Sequence, residues 1–190
     1  MKYFPKAVLL CLALVCLPNA AEQWQSALTN SQLLYQVTFQ GLPIEGQFKQ
    51  FSVSYSPGKK LLVTVAIASA DMSDDELNSE IAGVDWFDAG RFAEATFRSK
   101  TLVADSNSSQ HFTAQGSLKL KGVSEPVDVP FLWQQDTKNP DRAIMSGQLI
   151  LKRNDFSIGI GDWSSGEQIG IDVGVSFVVE MLRQVEELNN

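Results

Sequence analysis

Apolar and polar residues trade places with period two in segment after segment of this chain, and that pattern narrows the fold more than any other feature. A two-residue period sends apolar side chains to one face of a strand and polar ones to the other, as in half-buried antiparallel sheet. Across Leu33 to Phe39, the residues Leu33, Tyr35, Val37 and Phe39 share a face, with Gln36 and Thr38 opposite. Leu61, Val63, Val65 and Ile67 repeat it, with the small Ala66 and Ala68 on the other side. The clearest case runs from Gln110 to Lys121, where Phe112, Ala114, Gly116, Leu118 and Leu120 alternate with polar residues. Val127, Val129, Phe131 and Trp133 follow, then Met145, Leu149 and Leu151, and finally Ile171, Val173, Val175, Phe177 and Val179. Ala95 to Val103 adds Phe97 and Val103 on one side. Between Gly46 and Tyr55 the spacing slips after Phe48, which predicts a bulge. The pattern predicts about eight strands in an all-β domain.

Turn residues separate these segments at Ser56-Pro57-Gly58, Asn107-Ser108 and Lys138-Asn139-Pro140. One stretch breaks the rhythm. Ser73, Asp74, Asp75 and Glu76 form an S-x-x-E capping box, and Leu77 and Ile81 lie four apart, so a short acidic helix is predicted over Asp74 to Ala82, after the third strand and lidding one end of the sheet. Glu180 to Leu188 reads as the last strand running into a frayed tail. Antiparallel strands with one apolar face must hide it, either between two stacked sheets or inside a closed barrel. Periodicity does not choose between them, and the difference matters, because an eight-stranded barrel can keep a lumen for a small ligand whereas a sandwich fills its interior.

The N-terminus carries Lys2 and Lys6, then an apolar run from Ala7 to Leu17, then Pro18, Asn19, Ala20 and Ala21 ahead of polar Glu22 and Gln23. This reads as a secretory signal peptide over residues 1–21, cleaved after Ala20 or Ala21. The run of 11 residues covers only ~17 Å as helix, short of a ~30 Å hydrocarbon core. A lipoprotein cut before Cys16 would set bulky Val15 where a small residue is expected. Export leaves one domain over residues 22–190, with 13 bases against 22 acids and a net charge of −9. Both cysteines, Cys11 and Cys16, leave with the signal, so no disulfide or thiol chemistry is expected.

An acidic chain without clustered Lys and Arg is poorly suited to nucleic acid. One histidine and no retained cysteine give almost no material for a zinc or iron–sulfur site. A hydrolytic triad needs a histidine with a serine and a carboxylate, and the one histidine, His111, sits on the polar face of a strand, where it reads as a surface residue. Gly159, Gly161 and Ser164 echo a phosphate loop without its strand–loop–helix context. Asp74, Asp75 and Glu76 are accounted for by the helix N-terminus. Asp85 and Asp88 flank Trp86 and Phe87, and with Asp162 they are the only acids placed for catalysis, with nothing else to recommend them. No enzyme, cofactor or metal is expected. The aromatic inventory remains, and it would serve equally as packed core or as the wall of an oily lumen.

Three blocks, in order, give the chain a family likeness. Trp86-Phe87-Asp88, then Phe92, Ala93 and Glu94 leading into Ala95-Thr96-Phe97-Arg98-Ser99, resembles the "FFD…P-x-x-x-F-x-S" block of the YceI-like family. Gly116 to Val127 resembles its "G-x-L-T-I-x-G-V-T-K-P-V" block, and Arg153, Asp155, Phe156, Ile158 and Gly159 its "R-x-D-F-G-I" block. Gly46 and Phe48 within Gln36 to Phe51 match the family's opening. Ala93 stands for the usual proline and Ser157 for the usual glycine, and the acidic helix lacks the family's "R-D-x-H-L" wording.

The resemblance implies an extended lipocalin-like eight-stranded antiparallel β-barrel, exported to the periplasm, that binds a long apolar amphiphile: a polyisoprenoid, a quinone-like molecule or a fatty amide. Homodimerisation and transient membrane contact stay open as further associations. Combined with the strand faces, it implies a lumen lined by Tyr35, Val37, Phe39, Val63, Val65, Phe97, Leu118, Leu120, Phe131, Trp133, Leu149, Leu151, Phe156 and Phe177. The alternative is a packed β-domain that works through its acidic surface, as an interaction or stress-response module without a lipid.

Overall fold

Every strand of an open sheet except the two at its edges has both rows of backbone groups paired, and closure removes the edges. This chain closes. The computed structural model describes residues 22–58 and 60–184; the expected signal segment 1–21 and the end of the expected tail, 185–190, lie outside them. The strands are β1 (Gln23–Phe39), β2 (Leu42–Phe48), β3 (Phe51–Ser56), β4 (Lys60–Ala66), β5 (Ala70–Asp71), β6 (Glu94–Asp105), β7 (Ser108–Leu120), β8 (Val123–Gln135), β9 (Arg142–Lys152) and β10 (Asp172–Gln184). Eight of them form the antiparallel barrel in the order β1-β3-β4-β6-β7-β8-β9-β10, and β10 returns to β1 through pairs running from Gln23↔Gln184 to Gln36↔Gly174.

β1 holds two partners on its other edge. Trp24 and Gln25 pair with Tyr55 and Ser54 of β3, while Leu34 to Phe39 pair with Gln47 to Leu42 of β2, which in turn carries β5 at Phe48↔Ala70. The slip expected as a bulge after Phe48 is therefore a full break: the chain turns at Lys49 and Gln50 and starts a new strand with a new neighbour. The true irregularity lies in β1, where the register jumps between Ala27 and Gln32. The extra residues fold over Glu180, whose carboxylate accepts from Asn30 Nδ2 at 2.8 Å and pairs with Arg142, while Ser31 Oγ accepts its N–H at 2.9 Å. These bonds hold the buried carboxyl below its ordinary value.

The helix α1 (Asp75–Ala82) follows the fifth strand, because the break and the short β5 add two strands ahead of it. Its cap is Asp74, one residue after the expected Ser73: the Asp74 carboxylate accepts from the Glu76 and Leu77 N–H groups at 3.0 and 2.9 Å. Ser73 takes a left-handed φ of 59° instead. Asp71 anchors this turn by accepting from Ser73 N and Asn78 Nδ2 at 3.1 Å each and by pairing with Lys49 at 2.6 Å. Those partners, Lys49 first, hold its carboxyl down at about 2.

One end of the barrel is filled with rings. Trp24 meets Trp133 edge to face at 5.0 Å, Tyr55 touches Trp133 at 4.6 Å and Phe131 at 5.8 Å, and Phe112 stacks on Phe131 at 5.4 Å. Outside this layer Arg183 lies over the Trp24 ring and reaches Glu22 and Asp141. Trp24 is 1% exposed, so Trp24→Ala is expected to cost ~3–5 kcal/mol in denaturant unfolding, the range for truncating a fully buried large ring; a loss below ~1 kcal/mol would mean that the ring layer does not hold this end shut.

Candidate ligand-binding site

Beyond that ring layer the barrel is hollow. A cavity of about 440 Å³ runs from it to the opposite end, and its accessible wall is wholly apolar. On β8 the wall stops at Val129 and on β10 at Val179; the next inward residues, Phe131 and Met181, belong to the plug. Twelve of the fourteen expected lining residues are on the wall: Tyr35, Val37 and Phe39 on β1, Val63 and Val65 on β4, Phe97 on β6, Leu118 and Leu120 on β7, Leu149 and Leu151 on β9, Phe156, and Phe177 on β10. Phe131 and Trp133 are not. Alternation gives a residue's face correctly but not its height along the barrel axis, and these two fall one layer too far along. The wall also takes Val127, Val129, Val173 and Val175, inward neighbours of residues already expected there.

Large rings line this space without filling it because glycines on neighbouring strands leave room for them to lie against the wall. A Cβ on Gly46 would collide with the Tyr35 ring, one on Gly116 with Phe97, and one on Gly147 with Phe177. Two of these are direct cross-strand partners, Tyr35↔Gly46 and Phe177↔Gly147. A ring over a cross-strand glycine covers exposed backbone and spends its area on the wall.

The far end is closed by two loops. Residues 157–171 fold across the mouth and join β1 through Gln40 N to Gln168 O and Gly170 N to Thr38 O, each at 2.7 Å. Residues 83–93 meet them where Asp85 O accepts from Gly159 N at 2.8 Å. Trp86, Phe156, Ile158 and Ile169 form a second small core between them. Arg153, 3% exposed, holds this end together. Its Nε donates to Gly170 O at 2.9 Å, its Nη1 to Ile158 O, Gly159 O and Asn154 Oδ1 at 2.9, 2.7 and 3.0 Å, and its Nη2 to Ile169 O at 2.8 Å and to Trp163 O. Its guanidinium also lies 5.9 Å from the Trp86 ring centre. Burial lowers its pKa from the ordinary arginine value. Lys121 adds a second tie, donating to Val84 O at 2.8 Å and Ser157 O at 2.7 Å. Ser157, standing where the family has glycine, sits at φ 55°, the left-handed conformation that glycine adopts without strain.

On the α1 side, Leu77 and Glu80 are the exposed members of the cavity wall. The expected lid helix does flank the cavity, through Leu77, Glu80 and Ile81. The catalytic candidates lie elsewhere: Asp85, Asp88 and Asp162 are absent from the wall, and His111 bonds Ser108 Oγ at 2.8 Å on an exposed strand face.

A barrel of this kind, with one end packed and an apolar hollow beside a helix, is a hollow lipocalin-like β-barrel rather than a filled β-domain. A sequence model of the YceI-like domain matches residues 24–181, and the chain belongs to that family. A UPF0312 protein from Vibrio campbellii is 32% identical over 131 residues, spanning 64% of this chain and 68% of that one; a UPF0312 protein from Shewanella oneidensis is 29% identical over 144 residues, spanning 71% and 74%. The crystal structure of Burkholderia cenocepacia BcnA superposes with a TM-score of 0.74 at 30% identity, covering 82% of this chain and 98% of that one. A polyisoprenoid-binding domain from Saccharophagus degradans superposes at 0.70 with 17% identity, covering 85% and 98%, which shows the shared fold.

Tyr35 supplies a test of the site's interior. Its hydroxyl is buried without a hydrogen-bond partner among the described residues, and burial, with the Asp71 charge behind it, pushes its pKa up to about 12. Tyr35→Phe is therefore expected to raise stability at neutral pH by about 1 kcal/mol. Between pH ~10 and ~12 unfolded tyrosine gives up its proton while folded Tyr35 keeps it, so the wild type loses stability there and the variant loses less. Unfolding midpoints at pH 7 and pH 11 check both; a less stable variant at pH 7 would show that the hydroxyl is satisfied.

Proposed function

We propose that this protein binds a long apolar amphiphile, a polyisoprenoid, quinone-like molecule or fatty amide, and carries or sequesters it without catalysing a reaction. The reading extends to its place of work: residues 1–21 direct export and are removed, and the barrel acts in the periplasm, where water offers such lipids no other shelter. The hollow carries the reading. An acidic interaction module would need no ligand space, and a cavity of about 440 Å³ with an apolar wall would be a stability cost with no return, since empty core volume is destabilising. The polyisoprenoid-binding neighbour supports the ligand class, and the absence of polar surface on the wall supports binding without chemistry.

The size of the space sets the expected affinity. At ~30 Å³ per water-sized group the cavity holds about 15 methylenes. Burying them at ~0.8 kcal/mol each gives roughly 12 kcal/mol gross. Association and ordering cost several kcal/mol of this, which leaves micromolar binding. Titration with prenols of increasing length should show affinity rising with each isoprene unit up to about 15 carbons and levelling off beyond. Leu149→Glu, which puts a charge on the wall, should weaken binding about tenfold or more, while Gln148→Glu, on the outer face of the same strand, should not. Length-independent binding, or equal effects of the two variants, would overturn the proposal.

A further inference from the structure

The hollow stops at one level on five strands. Its last inward residues before the ring layer are Val53 on β3, Leu61 on β4, Val129 on β8, Met145 on β9 and Val179 on β10. The next inward residues on four of these strands, Tyr55, Phe131, Ala143 and Met181, belong to the packed end. Valine and leucine, branched close to the backbone, make up four members of this floor. Met145 is the exception, an unbranched side chain that fills irregular gaps. It is 1% exposed and is the cross-strand partner of both Val179 and Trp133. Nothing behind it yields, because the Trp133 ring is held between Trp24 at 5.0 Å and Tyr55 at 4.6 Å. The depth of the hollow is therefore fixed by where the Met145 side chain ends.

We infer that Met145 is the specificity-determining residue for tail length. This rests on the long-chain binding proposed above and adds the side chain that sets the limit. A tube stopped at one end by rings rewards each carbon it covers and none that it leaves outside, because a protruding methylene is in water before and after binding. Affinity then climbs about fourfold per added carbon and breaks to a plateau, and the break moves with the floor. β9 carries its own control. Leu149 also lines the cavity, four residues from Met145 and thus ~13 Å along the strand, but on the side wall. Truncating either residue to alanine removes the same number of heavy atoms, and only at Met145 does the loss deepen the hollow.

The test titrates the signal-free protein by calorimetry with straight-chain primary alcohols of roughly 10 to 20 carbons and reads the length at which affinity stops rising. The wild type is expected to break at about 15 carbons, the length that fills about 440 Å³. Met145→Ala should move the break outward by about three carbons, since each heavy atom removed frees room for about one more. Leu149→Ala should weaken binding of every alcohol and leave the break in place. Val179→Phe grows into empty space instead of overpacking a full core, so it should draw the break inward by about two carbons, and it decides the matter if Met145→Ala does not fold. A break unmoved in both floor variants, or moved as far by Leu149→Ala as by Met145→Ala, would overturn the inference and leave long-chain binding intact. So would a wild-type affinity still climbing at the longest alcohol. Failure of every alcohol and prenol to bind the wild type would overturn the proposed function, and the role of Met145 with it.

Discussion

The pairing of β1 with β10 is the constraint on which the rest of this molecule depends. It turns eight half-buried strands into a tube whose inward faces see only one another. Closure carries a geometric consequence: an eight-stranded tube is just wide enough that its contents decide whether it is solid or hollow. Here the contents differ along the axis. At one end Trp24, Tyr55, Phe112, Phe131 and Trp133 meet ring against ring and fill the section. Toward the other end the inward residues are mainly valine and leucine, and the rings of Tyr35, Phe97 and Phe177 lie against glycines in the wall. Ring orientation, more than ring number, separates the solid half from the hollow half.

A hollow barrel gives up core packing, so its ends need other means of staying shut. The loop end uses Arg153, a buried cation with no carboxylate partner among the described residues, bound by carbonyls from residues 158 to 170. Carbonyl dipoles around a guanidinium satisfy both sides: the charge is solvated, and loop acceptors that would otherwise be buried and unpaired find donors. The α1 side differs in kind. Asp71, Lys49, Asn78 and the Asp74 cap fix α1 by exposed or half-exposed polar bonds, the class of contact that opens locally at low cost.

Much of this was legible in the sequence, for identifiable reasons. Period-two alternation marked the strands, because each must show one face to the interior and one to water, and it placed residues such as Val37, Leu118 and Leu149 on the inward face. It could not show that Phe131 and Trp133 lie in the ring layer, since face and axial height are independent and height is set by register with distant strands. Trp24 went unmarked because it precedes the long alternating run and pairs across the barrel with β3 and β10. Arg153 stood in the family block without a role, because a buried arginine satisfied by carbonyls is made by loop geometry that no local pattern encodes. The need for Gly46, Gly116 and Gly147 shows only in three dimensions, where a Cβ would meet the Tyr35, Phe97 or Phe177 ring and, at Gly116 and Gly147, a neighbouring backbone carbonyl as well.

The central claim is that the space between the plug and the loops holds a hydrocarbon in the cell. Native mass spectrometry of protein purified from its own host without detergent, paired with an organic extract of the same sample, measures this directly. The account predicts a complex heavier than the polypeptide, and an extract containing a lipid with a chain of about 15 or more carbons, bound one to one. A polypeptide mass alone, with an extract no different from that of a non-binding control protein, would contradict it.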